Sequence, residues 1–219
     1  MRVQDARVPL LERHLARLRS GGCPERIIRA ASAAVRNAAA RWDERYGRMT
    51  LVVETDGRYA IDTTDAPSSI DVPGGPVIAL VESDEPILPP GEAKPADRSF
   101  WDRSLALARE QGADVAVLVT HDGHLIDTSQ ATLWLVGDGH LCTPPSPPAL
   151  AGVSRGVVFD LAPGLALVAR ECRLIPADLD EAQEVFLTTA IAGARAVRGR
   201  GGPVTDAIAA AFDAILAGG

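Results

Sequence analysis

Lysine occurs once in this 219-residue chain, at position 94, inside "PGEAKPADRSFW". Every other basic side chain of the Lys and Arg total is arginine. Arginine replaces most surface lysines at little cost, but it does not lose its proton to attack a carbonyl; a desolvated lysine amine does. Lys94 is therefore either a nucleophile or a survivor on a solvated loop in a chain rich in Ala, Arg, Gly and Pro. Four other stretches carry usable groups. "LLERHLARL" sets His14 and Arg17 three residues apart on one helical face, either a solvated face or an anion contact. "HLIDTSQATLWLV" puts Asp127 among apolar neighbours on a strand, as a buried carboxylate or as the start of a turn. "ALAGVSRGVV" brings Gly152, Val153 and Ser154 to the start of a helix. Amides and a hydroxyl there suit a phosphate as well as an ordinary cap. "EVFLTTAIAG" ends a strand in Thr188 and Thr189, followed by small residues beginning at Ala190.

These residues need elements to hold them. Apolar positions at helical spacing predict helices over 9–20 and 24–42, each with a proline in its first turn. The period then changes. Residues 49–63 alternate around Asp56-Gly57 and read as a hairpin. "DAPSSIDVPGG", 65–75, is turn-rich and reads as a linker. "PVIALVE" reads as a strand, followed by a proline-rich turn that leads to Lys94. Beyond it come a helix over 97–111, a strand over 114–120 and short strands through "HLIDTSQATLWLVGDGHLCTPP". A helix over "SRGVVFDLA", strands over "ALVARECRL" and "EVFLTT", and a closing amphipathic helix from Gly202 complete the order. The organisation is α+β: a small helix-and-hairpin unit over 1–70 and a larger strand-rich unit over 71–219.

Composition narrows the function. Net charge is −7, which opposes a general affinity for nucleic acid or anionic membranes. No apolar run is long enough to span a bilayer, and the charged opening "MRVQDARVPLLERH" lacks a signal core, so the sequence reads as cytoplasmic. Cys23, Cys142 and Cys172 are far apart and form no CxxC pair, which reads as reduced thiols. The four histidines show no metal-binding spacing, and His121 and His124 flank an Asp-Gly turn, so no metal is expected.

Taken in order, the stretches resemble the class IV aminotransferase family, the fold type IV enzymes that use pyridoxal 5′-phosphate. That family includes branched-chain and D-amino-acid aminotransferases and aminodeoxychorismate lyases. The most specific piece is "TPPSPPALAGVSR", similar to the family's Thr-Pro followed by Leu-x-Gly-(Ile/Val)-(Thr/Ser)-Arg. The resemblance implies roles. Lys94 would anchor the cofactor covalently and move protons. Arg17, the Gly152-Val153-Ser154 turn and Thr188 or Thr189 would hold the phosphate. Asp127 would face the ring nitrogen, and the Thr189-Ala190 backbone would orient a substrate carboxylate. It implies two domains with the cofactor between them, a homodimer, and exchange of an amino group between an amino acid and a 2-oxo acid. "KPADR" is similar to the lyase branch, which releases pyruvate from aminodeoxychorismate to give 4-aminobenzoate. Three departures stand out. Asp127 replaces the family's glutamate, Thr132 replaces its asparagine, and the opening strands with a "GDGxFET"-like segment are missing before Met1. A start placed too late, or a trimmed and catalytically degenerate relative, would account for the last.

Overall fold

A computed structural model of the protein describes residues 1–44, 46–65, 68–83 and 94–218. The proline-rich turn expected before Lys94 lies outside the described residues, as does part of the expected linker.

The chain opens with β1 (Arg2–Val3), α1 (Leu11–Ser20), α2 (Glu25–Ala39), β2 (Gly47–Val53) and β3 (Tyr59–Thr64). Leu11 and Leu15 lie one turn apart on α1 and are buried, as are Ile28, Ala31 and Val35 on α2. These faces close against Val3 and Met49 to form the first core. β1, β2 and β3 make an antiparallel sheet in that order, with the β2–β3 hairpin turning at Asp56-Gly57. α2 stops at Ala39, short of the expected Trp42.

The next unit holds β4 (Ile78–Glu82), α3 (Ser99–Glu110), β5 (Val115–Val119) and β6 (Leu125–Thr128). β4 and β5 pair in parallel and β6 returns antiparallel. α3 lays Ala108 over Ala116, Leu118 and Ile126.

β7 (Thr132–Gly137), β8 (His140–Thr143), β9 (Val168–Glu171), β10 (Glu184–Thr189) and β11 (Gly193–Ala196) form a five-stranded sheet in the order β11-β10-β7-β8-β9. β7 and β10 lie side by side at its middle and are buried almost throughout, which their continuous apolar runs dictate. Side chains alternate between two cores. On one face Trp134 and Phe186 stack at 6.0 Å and meet α4 (Val153–Leu161) and α6 (Pro203–Ala217). On the other, Leu133, Leu135 and Leu187 meet Val115, Val117 and Leu125 of the β4–β6 unit. Gly75 shows why the segment before β4 needs glycine. Its φ is +86°, and a Cβ there would sit 2.4 Å from the Ala196 carbonyl oxygen.

Three elements were not expected: the two-residue β1, α5 (Pro176–Glu181) and β11. α5 is short and polar, and reads as loop from sequence. It closes because the Ile175 amide donates to the Asp178 carboxylate at 2.7 Å and Pro176 starts it. β11 is hidden by its Gly-Ala composition. The strand expected over "ALVARECRL" is shorter, Val168–Glu171.

The cysteine reading is corrected. Cys142 and Cys172 are joined as a disulfide, with Cα atoms 5.6 Å apart, and Cys23 is free. The parallel register of β8 and β9 sets Cys142 opposite Arg170 and Thr143 opposite Glu171. That brings together two cysteines separated by 30 positions in sequence, a proximity that spacing could not reveal.

Candidate active site

Lys94 lies just ahead of α3 and is exposed, yet protein surrounds its amine on several sides. Its side chain meets solvent while its amine is partly desolvated. Burial, then the cations of Arg98 and Arg17, pull its pKa from 10.5 down to about 8, while Asp127 resists the fall. With one side open to water, the downward direction is what the chemistry rests on: the amine is far easier to deprotonate than a surface lysine.

Asp127 lies on β6, between the buried Ile126 and Thr128. Its Oδ1 accepts the Thr128 amide at 2.9 Å and its Oδ2 accepts the Leu150 amide at 3.2 Å. Burial outweighs these bonds and the charges of Arg155 and Lys94, and lifts its pKa from 3.8 to about 7. Thr128 folds the strand end by accepting the Ala131 amide at 2.7 Å, so the turn into β7 is local and rigid.

α1 brings Arg17 and His14 into the electrostatic neighbourhood of Lys94. Arg17 is half-buried, burial lowers its pKa, and among the described residues no carboxylate pairs with it. His14 is driven well below its ordinary pKa by burial first and by Arg17 and Lys94 among the neighbouring cations, so its ring is neutral. Its Nε2 is buried with no hydrogen-bond partner. A half-buried guanidinium and an orphaned ring nitrogen three residues apart on α1 leave hydrogen-bonding capacity unfilled there.

Gly152 precedes α4 with an extended backbone, and the first-turn amides of that helix have no intrahelical acceptor. A Cβ on Gly152 would lie 3.2 Å from the Thr132 hydroxyl, so the turn and the strand leave room only for glycine without a shift. Ser154 is buried and donates its hydroxyl to the Thr188 carbonyl at 3.1 Å. That bond ties α4 to the end of β10 and spends the hydroxyl proton, so the amides are the readier donors. Thr188 is fully buried, and its hydroxyl accepts the Trp134 indole N–H at 3.2 Å. It faces the core. Thr189 faces the other way, half-buried. Its hydroxyl accepts the Ala192 amide at 2.9 Å and lies 3.3 Å from Ser68. Ala190 follows it, also half-buried.

Of the residues singled out in the sequence, Lys94, Arg17 and Asp127 thus share one electrostatic neighbourhood, and Asp127 joins it to the loop that leads into Gly152. Thr188 stands apart from it. Sequence reasoning missed two arginines. Arg98, in the quoted "KPADR", donates to the Ser129 carbonyl at 2.8 Å and stacks over Trp101 at 4.8 Å while lowering the Lys94 pKa. Its spacing after Lys94 was the available signal. Arg48, on β2, also lowers it, and nothing distinguished Arg48 among so many arginines.

This arrangement belongs to a known architecture. The chain superposes on a hypothetical aminotransferase from Mycobacterium tuberculosis, described as a PLP-bound form, with a TM-score of 0.82 and 22% identity over 98% of this chain and 86% of that one. A fold IV transaminase from Curtobacterium pusillum gives 0.76 and 21% identity over 99% and 82%. A putative 4-amino-4-deoxychorismate lyase gives 0.82 and 23% over 96% and 86%. The fold is therefore that of the fold IV enzymes. Residues 1–199 match the family Amino-transferase class IV, and the chain belongs to that family. The branched-chain-amino-acid aminotransferase of Escherichia coli K12 is 33% identical over 121 residues, 51% of this chain. That match spans 39% of the length of the curated relative.

Proposed function

We propose that this protein binds pyridoxal 5′-phosphate and transfers an amino group between an amino acid and a 2-oxo acid. The observation that carries the reading is the desolvated amine of Lys94 close to Arg17, with which no carboxylate of the described residues pairs, and to Asp127. The residues fit the cofactor. A dianionic phosphate matches Arg17, the open amides at Val153 and Ser154, and the unpartnered Nε2 of His14. Bound pyridoxal phosphate supplies an electron sink that no side chain offers.

The chain's own groups do the rest. Lys94, with its pKa lowered to about 8, offers a free amine at mildly alkaline pH to hold an aldehyde, and can later carry a proton to and from a substrate carbon. Arg17 and the α4 turn fix the phosphate. The Thr189 hydroxyl is the nearer of the two threonines to an open face and supports that end. Asp127 would face the ring nitrogen. Its carboxyl is one methylene shorter than glutamate, and the amides of Thr128 and Leu150 hold it in place. The Thr189-Ala190 backbone orients a substrate carboxylate. In this reading the cofactor sits between a small unit, 1–70, and a larger one, 71–219, in a cytoplasmic homodimer.

The test is absorbance of the purified protein with pyridoxal phosphate, beside Lys94→Ala, before and after borohydride. A visible band that borohydride attaches to the wild type at Lys94, located by peptide mass, supports the proposal. No band in either protein refutes it. The lyase alternative draws on "KPADR" and on the likeness to the putative lyase. Release of pyruvate from aminodeoxychorismate, against amino exchange with 2-oxo acids, separates the two.

A further inference from the structure

Arg155 is the third residue of α4, and its side chain is 5% exposed. It donates to the Thr143 hydroxyl at 3.0 Å, pairs with Glu171 at 2.5 Å, and lies over the Phe159 ring at 5.2 Å. Glu171 also accepts the Ser146 amide at 3.3 Å, from the loop that leads to Gly152. Arg155 is thus a strap beneath the first turn of α4, fastened at Thr143 and Glu171. Those two residues are paired across β8 and β9. Thr143 directly follows Cys142, and Glu171 directly precedes Cys172. The disulfide therefore closes on the backbone of both fastening points. Both cysteines are half-buried, so a small oxidant reaches them.

We propose that Cys142 and Cys172 form a reversible dithiol/disulfide pair that sets the rigidity of the Gly152–Ser154 turn through Arg155. In a reducing compartment a persistent disulfide is unusual, and pairs that form there are mostly transient and sensing. The oxidant is a low-molecular-weight disulfide. One cysteine thiolate attacks it, forming a mixed disulfide and releasing one small thiolate. The second cysteine thiolate then attacks the mixed disulfide, closing Cys142–Cys172 and releasing the other half. Two electrons pass to the small disulfide, and the two cysteine protons end on the two small thiols. Oxidation joins the ends of β8 and β9 and holds Thr143 and Glu171 at the spacing Arg155 spans. Reduction lets that spacing relax. The consequence for a bound phosphate rests on the function proposed above; the consequence for the turn does not.

The experiment uses the whole chain equilibrated with reduced or oxidised glutathione, then alkylated and weighed. Cys23 stays outside the pair and carries either the alkyl group or one glutathione, which mass tells apart. One modified cysteine after oxidation and three alkylated cysteines after reduction is the expected result. Three in both states overturns the pair. Amide hydrogen exchange over residues 150–156 is then compared between the two forms without any cofactor. Severalfold slower exchange in the oxidised form, absent from the C142S/C172S double variant, supports the coupling. Equal exchange in the two forms overturns it. Affinity for pyridoxal phosphate is measured on the same samples. Severalfold tighter binding when oxidised extends the coupling to the ligand. Failure of either form to bind refutes the proposed function and leaves the exchange result to decide the redox proposal.

Discussion

Two helices in this molecule begin in similar ways and end up with different electrostatics. α6 starts after Gly202, and a buried carboxylate from its own sheet fills its first turn. Glu184 accepts the Val204 amide at 3.0 Å and the Thr205 amide at 2.7 Å. α4 starts after Gly152, and no carboxylate of the described residues caps it. Beneath it Arg155 is fully engaged by Thr143, Glu171 and Phe159, while Arg17, near Lys94, pairs with no carboxylate among the described residues. A helix N-terminus and a half-buried arginine both call for negative charge. Where the chain provides the anion, as at Glu184, the element is architecture. Where it does not, as at α4 and Arg17, the proposed function leaves the place to an anion from outside.

The largest effect should come from removing the internal anion. Glu184→Ala leaves one buried and one half-buried amide without acceptors, at about 3 kcal/mol by the usual cost of unsatisfied groups. Urea unfolding should show that loss, while the folded fraction keeps its affinity for pyridoxal phosphate. A loss of affinity as large as the loss of stability would mean that the two helix ends are not separate in role. Arg17→Met should do the reverse. Removing a charge–phosphate contact should weaken cofactor binding about 100-fold, or about 2.7 kcal/mol. Stability without ligand should stay within about 0.5 kcal/mol or rise, because an unpaired buried cation gives way to an apolar chain. A clear fall in stability would show that Arg17 is paired internally after all. Inorganic phosphate supplies a milder probe. At tenfold over its Kd it should stabilise the wild type by about 1.4 kcal/mol and leave Arg17→Met unmoved.

This contrast was only half legible in the sequence. Gly152-Val153-Ser154 could be read as a phosphate turn because local composition and helix-start chemistry coincide there. Lys94 stood out because arginine had displaced every other lysine. The hairpin at Asp56-Gly57 and the buried strands β7 and β10 were legible for the same reason, since period and turn residues act over a few positions. What could not be read was whatever depends on neighbours far away in sequence. Thr188 and Thr189 look alike on paper. Only the pairing of β10 with β7 decides that Thr188 binds Trp134 and faces the core. Ser154 looks like a donor to a ligand until the proximity of β10 gives it the Thr188 carbonyl. Cys142 and Cys172 become partners only through the parallel register of β8 and β9. Glu184, the anion that makes α6 self-sufficient, reads as an ordinary strand-start residue.

The least direct effects are in pH, and they bear on whether Lys94 and Asp127 act as a pair. The Lys94 amine titrates near 8 in the fold against 10.5 ordinarily. Between those values the unfolded chain holds a proton that the folded chain has lost, so stability should rise with pH across that window. Asp127 gives the opposite slope. Its carboxyl titrates near 7 against an ordinary 3.8, so the folded chain keeps a proton that the unfolded chain has released. Stability should therefore fall as pH rises from about 4 to 7. Urea unfolding across pH should lose the first slope in Lys94→Met and the second in Asp127→Asn. The decisive point is the cross-term. The Asp127 charge holds the Lys94 pKa up against its arginine neighbours, so Asp127→Asn should move the Lys94 titration to lower pH. The pH at which borohydride-trappable capture of pyridoxal phosphate reaches half its maximal rate reads this directly. A midpoint that does not move would mean that the two groups are too far apart, or too well screened by the open side of the cleft, to serve one cofactor. A downward shift would tie the lone lysine to the shortened carboxylate in a single site.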